Sequence, residues 1–367
     1  MKSPTQNYAK RREKLWKRVR AIGASAILIT RQINVRYLTG FTGSSGFLWL
    51  DAGKAVLLSD SRYETQLQDE CSDIDVSIRD ASSTQLELVA RIQTSSGATS
   101  LAFESDHVTH SLFQQMSDQL EAELVPVADL VQELRMIKDR AELELIRNSI
   151  RINERAFAVI RSQLTADQTE REIAHNLEHQ IRKFGGDECS FDPIVAVGPR
   201  SALPHAVPTS SRIEEAGFVL IDWGASVDGY ASDLTRMVVT AKIPPKIRKI
   251  FETVLKAQTA AIAKIRPGAS IKAADKAARD VIGKAGFGKY FGHGLGHGIG
   301  MEIHEAPFVS PIRKGEFRQN MVVTVEPGIY LPGIGGVRIE DNVRVTKDGV
   351  EVLSSLPKTL DESIVYI

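Results

Sequence analysis

Cysteine is scarce in this 367-residue chain: there are two, Cys71 and Cys189. They fall in what read as different domains, so no disulfide framework is expected and a reducing compartment fits. Net charge is also missing, because 46 Lys and Arg balance 46 Asp and Glu. That argues against a partner chosen by bulk electrostatics, such as nucleic acid or an anionic membrane. Nowhere do about 18 apolar residues run together, the length a bilayer span needs. The basic opening stretch, MKSPTQNYAKRREKLWKRVR, has no apolar core after it and does not read as a signal peptide. A cytoplasmic protein is expected. What is present is ordinary globular composition, 43% hydrophobic and 25% charged.

The length suggests two domains. In the first third, apolar runs at 26–30 (AILIT), 46–51 (GFLWLD), 55–59 (AVLLS), 74–78 (IDVSI) and 100–105 (SLAFES) read as strands. Amphipathic helical patterns at 8–22, 61–70, 84–94 and 109–121 alternate with them, which is the signature of an α/β domain. The boundary is placed so that residues 1–133 form this domain and 134–367 a second. The second opens with helices at about 139–163 and 168–184. Strand-like runs follow at 191–197, 217–223, 235–241, 321–327 and 336–346, interrupted by helices at about 245–265 and 271–285. Helices and strands are segregated there, as in an α+β fold. Segments 169–185 and 270–286 share a Ser/Thr start and a Lys-x-Gly stop, which common helix caps would also give.

Three of the eight histidines crowd into FGHGLGHGIGMEIHEAP, residues 291–307. A zinc-binding His-x-x-x-His helix fails on the alternating glycines, each costing about 0.8–1 kcal/mol against Ala in a helix. Extended or looped backbone that approaches something closely fits better. His175 and His179, four residues apart, read as a solvated helix face, as do His107 and His110. Acids sit at or beside apolar strands in FVLID (Asp222), ASDLTRMVV (Asp233), TVEPG (Glu326) and VRIED (Glu340). Any one of them reads as a strand-end residue facing water. Four together imply a cation, since a buried carboxylate costs several kcal/mol unless paired or metal-bound. Four carboxylates balance two dications, and oxygen-rich sets with one imidazole suit manganese-like ions.

These motifs, with YLTGFTGSSG (37–46) and DSRY (60–63), resemble those of the pita-bread metallopeptidases, the Xaa-Pro aminopeptidases and prolidases. The resemblance covers nearly the whole chain and implies a pita-bread catalytic domain behind a smaller creatinase-like α/β domain. It implies two divalent ions, manganese first, with cobalt, zinc or iron as alternatives. Asp222 would chelate one ion, Asp233 and Glu340 would bridge the pair, and His297 and Glu326 would complete the second. Glu326 would also act as the proton shuttle, and His304 would stabilise the oxyanion. His293, His304 and His205 would face substrate, and Arg338 would support the bridging glutamate and the substrate. The expected activity is an Xaa-Pro aminopeptidase acting on peptides with proline in second position, with prolidase as the alternative. Methionine aminopeptidase shares the metal set but usually lacks such an N-terminal domain. A metal-free creatinase-like or non-catalytic protein would have lost ligands, and all five are present here. The resemblance also implies a homodimer, with the Arg62 region near a partner's active site.

Overall fold

A computed structural model describes residues 6–367. They divide into two compact units, one ending at Arg135 and one starting at Met136. The first is built on a six-stranded sheet in the spatial order Asp75–Arg79, Ala55–Asp60, Phe47–Asp51, Ala26–Ile29, Ser100–Glu104, Glu123–Val127. Phe47–Asp51 runs antiparallel to both neighbours, and every other pairing is parallel. Parallel strands covered by helices read as continuous apolar runs, which is why Ala26–Ile29, Ala55–Asp60 and Ser100–Glu104 were visible in the sequence, while the exposed edge strand Asp75–Arg79 showed only by its alternation. The last, ELVPV, carries a proline and was not anticipated; it is an edge strand, where a missing N–H is tolerated. Helix Gln32–Thr39 was missed for a different reason, being short and ending on Gly40 in the left-handed conformation.

In the second unit a central strand, Phe218–Trp223, pairs antiparallel with Leu234–Val239 on one side and Ile194–Val197 on the other. Its alternation sorts the core. Phe218 and Leu220 pack with helices Pro245–Ile262 and Ile271–Lys284, while Val219, Ile221 and Trp223 pack with helices Arg140–Ser162 and Glu170–Lys183. Asp222 has the parity of Phe218 and Leu220, and its register partner Thr235 lies on the same face. A five-stranded sheet follows, ordered Glu305–Val309, Gly296–Gly298, Val322–Val325, Asp341–Val345, Val350–Val352.

The stretch 336–346 is not one strand. Gly335–Arg338 pairs with Gly328–Leu331, and Asp341–Val345 pairs with Val322–Val325. The chain changes sheets at Ile339 and Glu340, so Glu340 sits at a break between ladders and not inside one. The two similar helices 169–185 and 270–286 occupy parallel situations. Thr169 bridges Arg212, Ser270 bridges Glu316, and each helix packs against the one before it. Only Thr169 forms a capping box, with Glu172. No helix among the described residues is long and apolar enough to cross a membrane.

Candidate active site

The alternating glycines have a steric explanation. A Cβ on Gly296 would stand 2.2 Å from the carbonyl oxygen of Thr324, and one on Gly298 would stand 2.2 Å from that of Ala306. His297 lies between two backbones that leave no room for side chains at its neighbours. Its amide donates to Thr324 Oγ1 (3.0 Å), and its Nδ1 faces the Gly298 carbonyl at 3.1 Å. A carbonyl only accepts, so Nδ1 carries the proton and Nε2 offers a lone pair in the neutral ring. Nε2 points at Glu326 Oε1 (3.3 Å) and Asp233 Oδ2 (3.6 Å).

Carboxylate oxygens of Asp222, Asp233 and Glu340 lie within 4.8 Å of one another, all buried. Thr235 Oγ1 donates to Glu340 (2.8 Å) and accepts from Arg338 Nε (3.0 Å). Arg338 also bonds Asp222 Oδ2, the Tyr330 hydroxyl (2.9 Å) and the Pro204 carbonyl (3.3 Å). Four of its five N–H donors are thus taken by protein. Arg338 ties Asp222 directly and Glu340 through Thr235, and it lines the cleft.

One guanidinium does not balance four acids. Burial first, then the neighbouring carboxylates, hold Asp233 and Glu340 well above the usual carboxylate range, and Asp222 is raised too. Glu326 goes the other way: burial pushes it up, but the hydrogen bond and charge of His297 bring it down to about 2. Burial lowers the His297 imidazole, and Glu326 more than offsets this, so the net shift is upward. Asp222 Oδ1 and Glu340 Oε1 are buried without any hydrogen-bond partner. Two orphaned carboxyl oxygens in an acid cluster, beside an imidazole whose Nε2 offers a lone pair once its proton is displaced, are the donor set of a divalent-cation site.

A cleft of about 630 Å³ opens onto this cluster, and His205, His293, His304, Phe308 and Arg313 also line it. The His304 ring stands edge-on to that of His297, centroids 4.4 Å apart. Burial and then the charge of His297 lower its pKa, so it stays neutral. His293 has both nitrogens engaged, Nδ1 with the Gly294 carbonyl (2.8 Å) and Nε2 with the Tyr330 hydroxyl (3.0 Å). It therefore meets the cleft with its ring. The structure thus gathers all nine residues singled out in the sequence around one cleft. Thr235, Thr324 and Tyr330 were missed. Their hydroxyls orient the acids and histidines, and nothing in a lone Thr or Tyr signals that role.

Residues 144–347 match metallopeptidase family M24, and residues 11–137 match the creatinase/prolidase N-terminal domain. The chain belongs to metallopeptidase family M24. It is a hydrolase with the two-domain pita-bread architecture, and the family uses divalent metals. The chain is similar to the Xaa-Pro dipeptidase of Pyrococcus horikoshii, 35% identical over 91% of this chain and 94% of that protein. Among solved structures, the Xaa-Pro dipeptidase from Bacillus anthracis superposes with a TM-score of 0.93 at 38% identity, covering 96% and 99% of the two chains. The X-Pro aminopeptidase from Thermotoga maritima gives 0.88 at 35% identity, covering 96% and 100%.

Proposed function

We propose that this M24 peptidase is a prolidase, hydrolysing the bond between an N-terminal residue and a carboxy-terminal proline in Xaa-Pro dipeptides. The sequence put aminopeptidase first and prolidase second. The names of the similar proteins favour the reverse order, although the Thermotoga maritima aminopeptidase keeps the first reading in play. The observation that carries the hydrolytic reading is the buried acid cluster with two orphaned oxygens at the floor of the cleft.

In this reading Asp222, Asp233, His297, Glu326 and Glu340 hold two divalent cations, manganese first, with cobalt, zinc or iron competent according to supply. Bound there, the cations would supply Lewis acidity and a lowered pKa for the attacking water. Glu326, ionised at neutral pH, accepts the water's proton and delivers it to the proline nitrogen as the C–N bond breaks. His304, kept neutral, donates a hydrogen bond to the carbonyl oxygen as negative charge develops there. The rings of His293 and Phe308 line the cleft and offer surface for a pyrrolidine to pack on, and His205, also on the lining, meets substrate. A proline amide has no N–H, so shape must replace the hydrogen bond that other peptidases use. The reading carries a homodimer with it, checked by light scattering.

The test is release of free N-terminal residue by manganese-loaded protein from Ala-Pro and from a longer Ala-Pro-Yaa peptide. Cleavage of the dipeptide alone supports prolidase. Cleavage of the longer peptide restores the aminopeptidase, and cleavage of neither refutes proline specificity.

A further inference from the structure

We infer that Glu170, outside the cleft, is a positioning residue whose buried carboxylate clamps both ends of the loop that carries His205. The inference rests on the reading that His205 meets substrate. Glu170 lies in the first turn of helix Glu170–Lys183 and is fully buried. At the incoming end of the loop its carboxylate accepts from the Val197 amide (2.8 Å) and from Arg200 Nε (2.9 and 3.0 Å). At the outgoing end it accepts from the Thr209 amide and hydroxyl, both at 2.7 Å. Arg200 then reaches across the loop to the Val207 carbonyl (2.7 Å).

The loop needs such a clamp. Between Val197 and Thr209 its one regular piece is the 3-10 turn Gly198–Ala202. Burial anchors it only at points, since Ser201 and Ala206 are buried while Leu203 is 52% and Val207 77% exposed. His205 is exposed and makes no hydrogen bond of its own among the described residues, so its place is the place of the loop backbone. Other ties along the loop are Ser201 Oγ accepting from the Gly336 amide (2.8 Å), the long bond from Arg338 to the Pro204 carbonyl, and one from Arg171 Nε to the Pro208 carbonyl (3.3 Å). The helix start does not need Glu170, since Thr169 and Glu172 cap it. Every contact to the carboxylate comes from an N–H or O–H donor. A glutamine would turn an NH2 group toward donors and lose one end of the clamp.

The experiment is a double-mutant cycle on Ala-Pro hydrolysis with Glu170→Gln, His205→Ala and the pair, alongside limited digestion by elastase after Ala202 or Ala206. We expect Glu170→Gln to lower kcat/KM by about 10- to 100-fold, the scale of a misplaced catalytic contact. In the His205→Ala background the same change should matter less than about twofold, and elastase should cut the loop faster. Multiplying effects, unchanged kcat/KM in either single variant, or unchanged elastase resistance would each overturn the inference. If Glu170→Gln does not fold, Arg200→Met, at a side chain 30% exposed, runs the same cycle and should also lose its effect when His205 is absent. Arg200→Lys should recover part of it. Wild-type protein inert on Ala-Pro would refute the prolidase reading. The elastase result needs no activity and tests the clamp separately.

Discussion

Asp233→Asn should stabilise the metal-free protein at alkaline pH while abolishing metal binding. Asp233 and Glu340 are buried within an acid cluster, and burial first, then the neighbouring carboxylates, hold both well above the usual carboxylate range. The folded protein therefore binds more protons than the unfolded chain above about pH 4, and stability must fall as pH rises through that region. Each unit by which a folded value exceeds the unfolded one costs about 1.4 kcal/mol once the pH has passed it. The two acids titrate as a pair, so the loss belongs to the cluster. Asparagine keeps the shape and removes one charge. Urea titrations of chelator-treated protein at pH 5 and pH 8 measure the difference. With a slope of about 3 kcal/mol per M, 1.4 kcal/mol moves the midpoint by roughly 0.5 M. Wild type should lose midpoint between the two pH values, and the variant should lose less. Divalent cation at about 100 times its dissociation constant should restore about 2.7 kcal/mol to wild type alone, with protons released on binding. A metal-free variant no more stable than wild type at pH 8 would refute the claim that these acids form a site strained for a cation.

Gly296→Ala should cost about 1–3 kcal/mol and most of the metal affinity, because its methyl group meets a strand carbonyl that cannot move aside; thermal melts and metal titration check both. Lys138, 1% exposed and 3.1 Å from Glu305 Oε2, should cost about 3–5 kcal/mol when changed to Met, with much of the loss recovered in Lys138→Met/Glu305→Leu, as denaturant titration would show. Burial pushes the thiols of Cys71 and Cys189 up to about 11 and about 12. At pH 8 the native thiolate fraction is then at or below about one part in a thousand, so iodoacetamide should label both cysteines far faster after denaturation than before.

The legibility of the site followed from local chemistry. Asp222, Asp233, Glu326 and Glu340 stood out because acids beside apolar strands conflict with burial, and a conflict of that kind is visible without coordinates. The glycines around His297 were readable as close approach, though not what they approach. Thr235, Thr324, Tyr330 and Glu170 were invisible. A threonine or glutamate in a strand or first helical turn is locally unremarkable, and its partners lie far off in the chain. Arg338 was seen, but which groups it holds shows only in the assembled site.

By itself the sequence determined most of the helical and strand periods and the acid-rich, histidine-bearing chemistry of the second half, because these depend on neighbours within a few positions. Tertiary structure alone decided that residues 336–346 split between two sheets at Glu340, that Asp222 and Thr235 share a face, and that one carboxylate at Glu170 holds a loop spanning Val197 to Thr209. Those outcomes depend on which strand pairs with which. Pairing is settled by burying whole faces at once, and no single segment records it.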